Sequence, residues 1–517
     1  MTVIIDKNTP LKKFNHHWKF CVGSAHAVYA LRHDYTKQLT QLHSELGIER
    51  VRFHGIFDDN MHTLVKATDI IPFPFGGSYR ESSFRRCACA YDNILEAGMK
   101  PFVELSFMPK LLAKLPFAKG MFYYKPIVSL PKLTAQWQEY IKSFIRFLIE
   151  RYGREEIETW YFEVWNEPDL PFIFFDGRQK DYFVLYKATA EAIKEVDGNI
   201  PVGGPSTSGS KWIQSFLDYC RKNNAPLDFV STHQYAGDPI GGVENSEKGL
   251  SLNIDIFAAL KKRTELSHGN ILDLYRAFMG VAQAHKTLAA NALTESAKNV
   301  KALAGALPVF YTEWNMCASF SAPCNDISMQ ACYQLHAILN SQDSIDGSSI
   351  WCFSDLFEEF HQFPEEFHGG FGLMTQSGIK KPSYYALQFL NEAGDMCFDI
   401  PQPDGIDIAV FGKDGEIHII ASLLDFDEVG KTESITLKIK CDKPGAVTLN
   451  RIDSVCANPL SLWKKMGCPQ TPTPQQIKEI KENSEPSEEK AEYEYDNGYI
   501  TIPLSLSSNE IKRIIIK

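Results

Sequence analysis

The sequence predicts an α/β chain, a (β/α)8 TIM barrel with an accessory β-sandwich, and three observations lead there. Short apolar runs alternate with longer segments of helical period eight times over roughly 380 residues, the pattern of βα units around a parallel sheet. Two of these runs, the fourth and the seventh, stop abruptly beside a glutamate, Glu167 and Glu313. Beyond about residue 395 the period changes to the strict alternation of half-buried strands.

Taken in order, residues 19–23 are the first expected strand, with a helix over 34–46 after it. The run 49–54, ERVRFH, is the second, and its helix lies near 84–97. The third, 101–107 (PFVELSF), leads into an amphipathic helix over 133–152 that stops at Gly153, a residue favoured just past a helix end. Strand four covers 160–165 and is followed by a helix over 181–196. Strand five is 201–204 with a helix over 212–222, and strand six is 229–233. After a helical stretch over 271–304 come strand seven at 309–312, a helix at 328–339, strand eight at 349–353 and a last helix at 383–393. The barrel is thereby assigned residues 15–393.

In the second domain, 406–411 and 416–423 flank Lys413-Asp414-Gly415, a hairpin signal, and 434–439 continues the alternation. Residues 469–497, rich in Pro, Glu, Lys and Ser, read as a solvated excursion with one short helix near 475–481. The closing strands are 499–503 and 510–516. The leading strand, 2–6, is expected to join this sandwich, which is assigned 1–14 and 394–517.

Composition narrows the function classes. A chain of 517 residues exceeds one ordinary core, and a net charge of −11 excludes the basic face that nucleic-acid binding requires. The start, MTVIIDKNTP, lacks a basic segment followed by a long apolar one, and no run reaches bilayer length. The expectation is a soluble, cytoplasmic protein with no membrane partner. Its twelve cysteines are scattered, without C-x2-C spacing. Cys87-Ala88-Cys89 reads as two small residues in a helix, so a reducing compartment is expected, with no metal and no cofactor. Oligomeric state is left open.

The chemistry sits in WYFEVWNEPD (160–169) and PVFYTEWN (308–315). Each delivers a carboxylate at a strand tip, and the first is halted at once by Pro168. Cleavage of a glycosidic bond passes through an oxocarbenium-like transition state, which calls for one carboxylic acid at the leaving oxygen and one carboxylate at the anomeric carbon. Glu167 and Glu313 supply that pair, and Asn166 is placed to hydrogen-bond the neighbouring sugar hydroxyl.

These residues, together with CVGSAHA at Cys21, RFHGIFDDNM at Arg52, KPFVELSFMP at Lys100, GGPS at Gly203, STHQY at Ser231, WCFSDLFEE at Trp351, FHGGFGL at Phe367 and KKPSYYA at Lys380, closely resemble glycoside hydrolase family 39. That family contains β-xylosidases and α-L-iduronidases, and the motifs resemble its β-xylosidase branch. The resemblance implies Glu167 as acid/base and Glu313 as nucleophile, with Asn166, His233, Tyr235, Trp351, Glu358 and Glu359 in the sugar subsite and His54 and Asp59 as further candidates. It implies a retaining exo-acting enzyme that releases xylose from β-xylosides and xylo-oligosaccharides. The rival readings are an α-L-arabinoside or α-L-iduronide specificity on the same residues, or a carbohydrate-binding protein without activity.

The chain departs from the family pattern at Ile173-Phe174-Phe175, where a Phe-Trp pair is usual, and at Ser319-Phe320, where a Tyr is usual. The segment between His233 and Glu313 is longer than usual by something like 30 residues, which leaves room for an added helix-rich excursion.

Overall fold

The computed structural model describes residues 1–6, 8–67, 80–241, 272, 275–276, 281–357, 359 and 363–517. Eight parallel strands close into a barrel, Cys21–His26, Arg50–His54, Lys100–Glu104, Tyr161–Glu163, Val202–Thr207, Phe229–Tyr235, Val309–Asn315 and Gly347–Ile350, each paired to the next and the last to the first. Helices His33–Leu46, Arg85–Glu96, Thr134–Tyr152, Gln179–Val196, Ile213–Asn223, Ala292–Ala304, Ser328–Ser341 and Pro382–Ala393 follow them in turn. Of the helical stretch expected over 271–304, the end forms this helix and Val281–Thr287 is a 3₁₀ turn. Of the segment in which extra length is expected before Glu313, residues 242–271 lie outside the described residues.

Strand limits shift from expectation for a local reason. The fourth strand is only three residues long because Trp165 and Glu167 adopt left-handed backbone angles, φ 73° and 39°, which end the ladder and turn the chain across the barrel mouth. The first strand starts two residues late, at Cys21, because His17–Lys19 form a 3₁₀ turn that ends on Phe20, whose ring enters an aromatic plug. Phe20 stacks on Phe310 with ring centroids 4.5 Å apart, and Phe102, Tyr161 and Phe229 complete a layer that fills the barrel where its strands begin. That layer is apolar, so the polar side chains collect at the opposite ends of the strands.

The accessory domain packs a four-stranded sheet on a seven-stranded one, with Val3, Ile419, Leu437, Ile500 and Ile514 among the side chains between them. Thr2–Ile5 runs parallel to Thr432–Lys440, and Leu11–Lys13 pairs with Met396–Phe398. Strand Val447–Ile452 and helix Pro459–Lys465 add to the elements read from sequence. The excursion is more than a solvated loop. Its helix Pro474–Asn483, capped by Thr473 and Gln476, lays Ile480 against Phe367, Ile379 and Trp463, and Lys481 Nζ donates to the Ser377 carbonyl at 2.8 Å. No described helix is long and apolar enough to cross a membrane.

Gly23 shows how tightly the barrel mouth is filled. A Cβ there would lie 2.5 Å from Trp351 Cε3 and 3.1 Å from the Ile350 carbonyl oxygen. Gly23→Ala is therefore expected to lower unfolding free energy by about 1–3 kcal/mol in urea titration, the scale of overpacking, while displacing Trp351. An unchanged urea midpoint would show that Trp351 is free to move.

Candidate active site

At the C-terminal ends of the strands a cluster of charged side chains is cut off from solvent, organised by Arg52 on the second strand. Its Nε donates to Glu163 Oε2 at 2.7 Å, its Nη1 to Glu313 Oε1 at 2.8 Å, and its Nη2 to Asn166 Oδ1 at 2.8 Å and Ser206 Oγ at 3.2 Å. The same Nη2 lies 2.9 Å from Glu104 Oε2. Burial works against this charge, but Glu163, Glu104 and Glu313 together overcome it and hold the guanidinium above its ordinary pKa. Glu163 is held from its other side by the Thr312 hydroxyl at 2.7 Å.

Glu313, at the fifth position of strand seven, accepts on both oxygens. Arg52 holds Oε1, and the Tyr235 hydroxyl donates to Oε2 at 3.1 Å. Glu167 follows strand four, fixed by its backbone N–H on the Ser206 carbonyl at 2.8 Å, with His233 Nδ1 at 2.9 Å from Oε1. One carboxylate oxygen of Glu167, one of Glu313 and a ring nitrogen of His233 all lie within 4.8 Å of one another. Burial pushes the Glu167 carboxyl well above its ordinary value, Asp169 and Asp238 push it further, and Arg52 and Lys211 oppose them. Burial pulls His233 down to about 4 and His54 to about 3, so both rings are neutral at pH 7. The three atoms have a spacing that a cation would accept. Arg52 and Tyr235 already donate to Glu313, and the Glu167 carboxyl shares one hydrogen bond with His233.

The chain matches known sequences along its length. The family model for glycosyl hydrolases family 39 covers residues 1–249 and 274–501. The chain belongs to this family. It is 37% identical to a beta-xylosidase of Caldicellulosiruptor saccharolyticus, over 100% of this chain and 98% of that one. It is 30% identical to a beta-xylosidase of Geobacillus stearothermophilus, over 100% and 96%. A solved beta-xylosidase of the family from Caulobacter crescentus superposes over all of both chains with a TM-score of 0.77 at 25% identity. The protein is a glycoside hydrolase, acting on a glycoside or oligosaccharide.

Most of the sequence-predicted residues of this family member converge. Asn166 is fully buried, with its Oδ1 on Arg52 and its Nδ2 without a hydrogen-bond partner among the described residues. His54 anchors Nδ1 on Glu104 Oε2 at 2.6 Å and brings Nε2 to 3.6 Å from Glu313 and 3.5 Å from Glu359. Trp351 lies 4.8 Å from the His54 ring. Glu359 is buried, and burial first, then Glu313, Glu167 and Glu104, push its carboxyl well above the ordinary value. Glu358 lies outside the described residues.

Asp59 does not join them. It is exposed and accepts from the Lys110 backbone N–H at 3.1 Å, whereas its neighbour Asp58 turns inward onto His26. Register decides this, because the turn after strand two directs adjacent side chains to opposite sides. Three residues were missed, Arg52, Glu104 and Glu163, all charges in the middle of runs read only as strands. Burial pushes Glu104 up to about 7, against Arg52.

Arg52→Met leaves three buried carboxylates facing one another and is expected to cost about 3–5 kcal/mol in chemical unfolding. Arg52→Lys keeps the charge but loses the fork, so it should fold while kcat falls on the order of 10²-fold through misplacement of Glu313. Full activity in the Lys variant would show that charge alone suffices.

Proposed function

We propose that this enzyme is a retaining exo-β-xylosidase, with Glu313 as nucleophile and Glu167 as acid/base. The observation that carries the proposal is the closeness of the two carboxylates, within 4.8 Å oxygen to oxygen. Retention needs carboxyl groups about 5–5.5 Å apart, whereas inversion needs about 6.5–9.5 Å to admit a water between. Glu313 attacks the anomeric carbon and forms a glycosyl ester while Glu167 gives its proton to the departing oxygen. Water then enters, Glu167 takes its proton, and the ester is released as xylose in the β configuration. The raised pKa of Glu167 favours the protonated form that the first step uses.

The surroundings favour a neutral terminal sugar. A uronide carboxylate needs a fixed cation, but Arg52 has all three nitrogens engaged, and the position after His233 holds Gln234, whose Nε2 is bonded to the Tyr235 and Pro239 carbonyls. Glu359, whose carboxyl is held well above its ordinary value, supplies no balancing charge for such a substrate. It can instead accept from sugar hydroxyls, and Trp351 offers an apolar face to ring C–H groups. Exclusion of an exocyclic hydroxymethyl group would separate xylose from glucose by only about 1–3 kcal/mol.

Among 4-nitrophenyl glycosides, the β-D-xyloside should be hydrolysed fastest, the α-L-arabinoside more slowly, and proton NMR should show β-xylose as the first product. Faster turnover of an iduronide or glucoside, or α-xylose first, would overturn the assignment. Glu167→Ala should slow xylobiose far more than an activated aryl xyloside. Native kcat/KM should fall on the alkaline side as Glu167 loses its proton, and this limb should vanish in the variant when measured on the activated substrate. Equal impairment on both substrates, with the limb intact, would place the acid elsewhere.

A further inference from the structure

His54 joins the site through ring nitrogens with different neighbours. Burial pulls its pKa down to about 3, so the ring is neutral and one nitrogen alone carries a hydrogen. Which nitrogen that is depends on the hydrogen bond the other makes. Nδ1 lies 2.6 Å from Glu104 Oε2, whereas Nε2 faces two carboxyl groups, 3.6 Å from Glu313 Oε1 and 3.5 Å from Glu359 Oε1.

The groups around Glu104 favour a carboxylate that only accepts. The side chain is buried at the end of strand three. Arg52 Nη2, which has hydrogens and no lone pair to offer, lies 2.9 Å from the same Oε2. The Ser106 hydroxyl donates to Oε1 while its own oxygen accepts the Gly55 N–H at 3.1 Å. A protonated Glu104 would have to carry its hydrogen on Oε2, against the guanidinium, in order to reach Nδ1. Burial raises this carboxyl to about 7 and Arg52 is the largest opposing influence, so above that pH both oxygens accept. Nδ1 must then be the donor, and Nε2 carries a lone pair.

That tautomer matters on the Glu313 side of the ring. A hydrogen on Nε2 would offer Glu313 a donor beyond Arg52 and Tyr235, and each hydrogen bond to a carboxylate stabilises its charge at the expense of attack. With a lone pair there instead, the gap between Nε2 and Glu359 Oε1, an atom without a hydrogen-bond partner among the described residues, suits a hydroxyl that donates to the ring. We infer that Glu104 is a positioning residue that acts through His54, keeping the ring's hydrogen on Nδ1 so that Nε2 meets the terminal sugar as an acceptor and offers Glu313 no further hydrogen. The sugar belongs to the xylosidase reading, on which this inference rests, but the tautomer can be read without it.

The test labels the full-length enzyme with ¹⁵N-histidine and reads the ring nitrogens by NMR at pH 8, with His54 assigned from the signals that His54→Ala removes. Nδ1 is expected to be the protonated nitrogen, and a hydrogen on Nε2 would overturn the inference. Kinetics on 4-nitrophenyl β-D-xyloside supply the second arm. Glu104→Leu should lower kcat/KM about 10- to 100-fold, the scale of removing the carboxylate that orients a histidine. In the His54→Ala background the same change should cost less than about threefold, because the residue it acts through is gone. An equal cost in both backgrounds would overturn the inference, since Glu104 would then be acting through Arg52. Should Glu104→Leu fail to fold, Glu104→Gln keeps the shape of the side chain, and in it tautomer and activity should move together. A hydrogen transferred to Nε2 with kcat/KM unchanged, or a loss of about tenfold or more with Nδ1–H retained, would overturn the inference as well. A native enzyme with His54 protonated on Nδ1 that leaves the xyloside intact would instead remove the xylosidase reading, so the two failures are separable.

Discussion

Arg52 brings a single positive charge into a closed space that also holds Glu104, Glu163 and Glu313, and the site has to form around that imbalance. An ion cluster this deep gains little net stability, because the desolvation of each charge offsets most of the attraction. What it gains is geometry. A planar fork with fixed donor directions sets the distance between strands two, four and seven at the level of Glu313, and it also reaches Asn166 beside Glu167. With one cation among three carboxylates, negative charge remains in surplus. The neutral imidazoles of His54 and His233 fit this environment as hydrogen-bonding partners that add no charge of their own.

A second buried cluster has the opposite task. Lys381 Nζ lies 2.6 Å from Asp326 and 2.7 Å from Asp355, and these aspartates accept the backbone N–H groups of Gly369 and Gly372 at 2.7 Å each. It therefore fixes the glycine-rich segment after strand eight, which packs Phe371 against Phe357 and, through Phe357, against Trp351. The catalytic end of the barrel is thus held by two ionic knots, one inside the barrel and one in its last loop. The accessory domain supports the second through the cluster of Phe367, Ile379, Trp463 and Ile480.

The eight-unit alternation was legible because barrel strands are short and apolar, and because turn residues such as Gly153 mark helix ends. Glu167 and Glu313 were legible for a related reason, since a carboxylate that terminates an apolar run stands out. Arg52, Glu104 and Glu163 were not, although a signal existed. Glu104 and Glu163 are charges inside largely apolar runs and Arg52 is the central charge of ERVRFH, and a charge in a strand buried on both faces persists only when paired, so charges in neighbouring strands imply one another. Asp58 and Asp59 could not be told apart, because a single residue of register separates the buried side chain from the exposed one. The left-handed angles at Trp165 and Glu167 leave no mark in composition, so the fourth strand was read too long.

The pairing of Thr2–Ile5 with Thr432–Lys440 has a consequence for the order in which the molecule is made. Val3 is synthesised before any strand of the barrel, and its partner Leu437 emerges only after the whole barrel has been translated. At roughly 5–20 residues per second, that delay is on the order of 20 to 90 seconds. During this time the first strand has no sheet to join, although the barrel that follows it can already close. The sandwich is therefore the last part of the chain to become native, and a ribosome that stalls near residue 430 would leave a complete barrel with an unpaired strand, Thr2–Ile5, at its front.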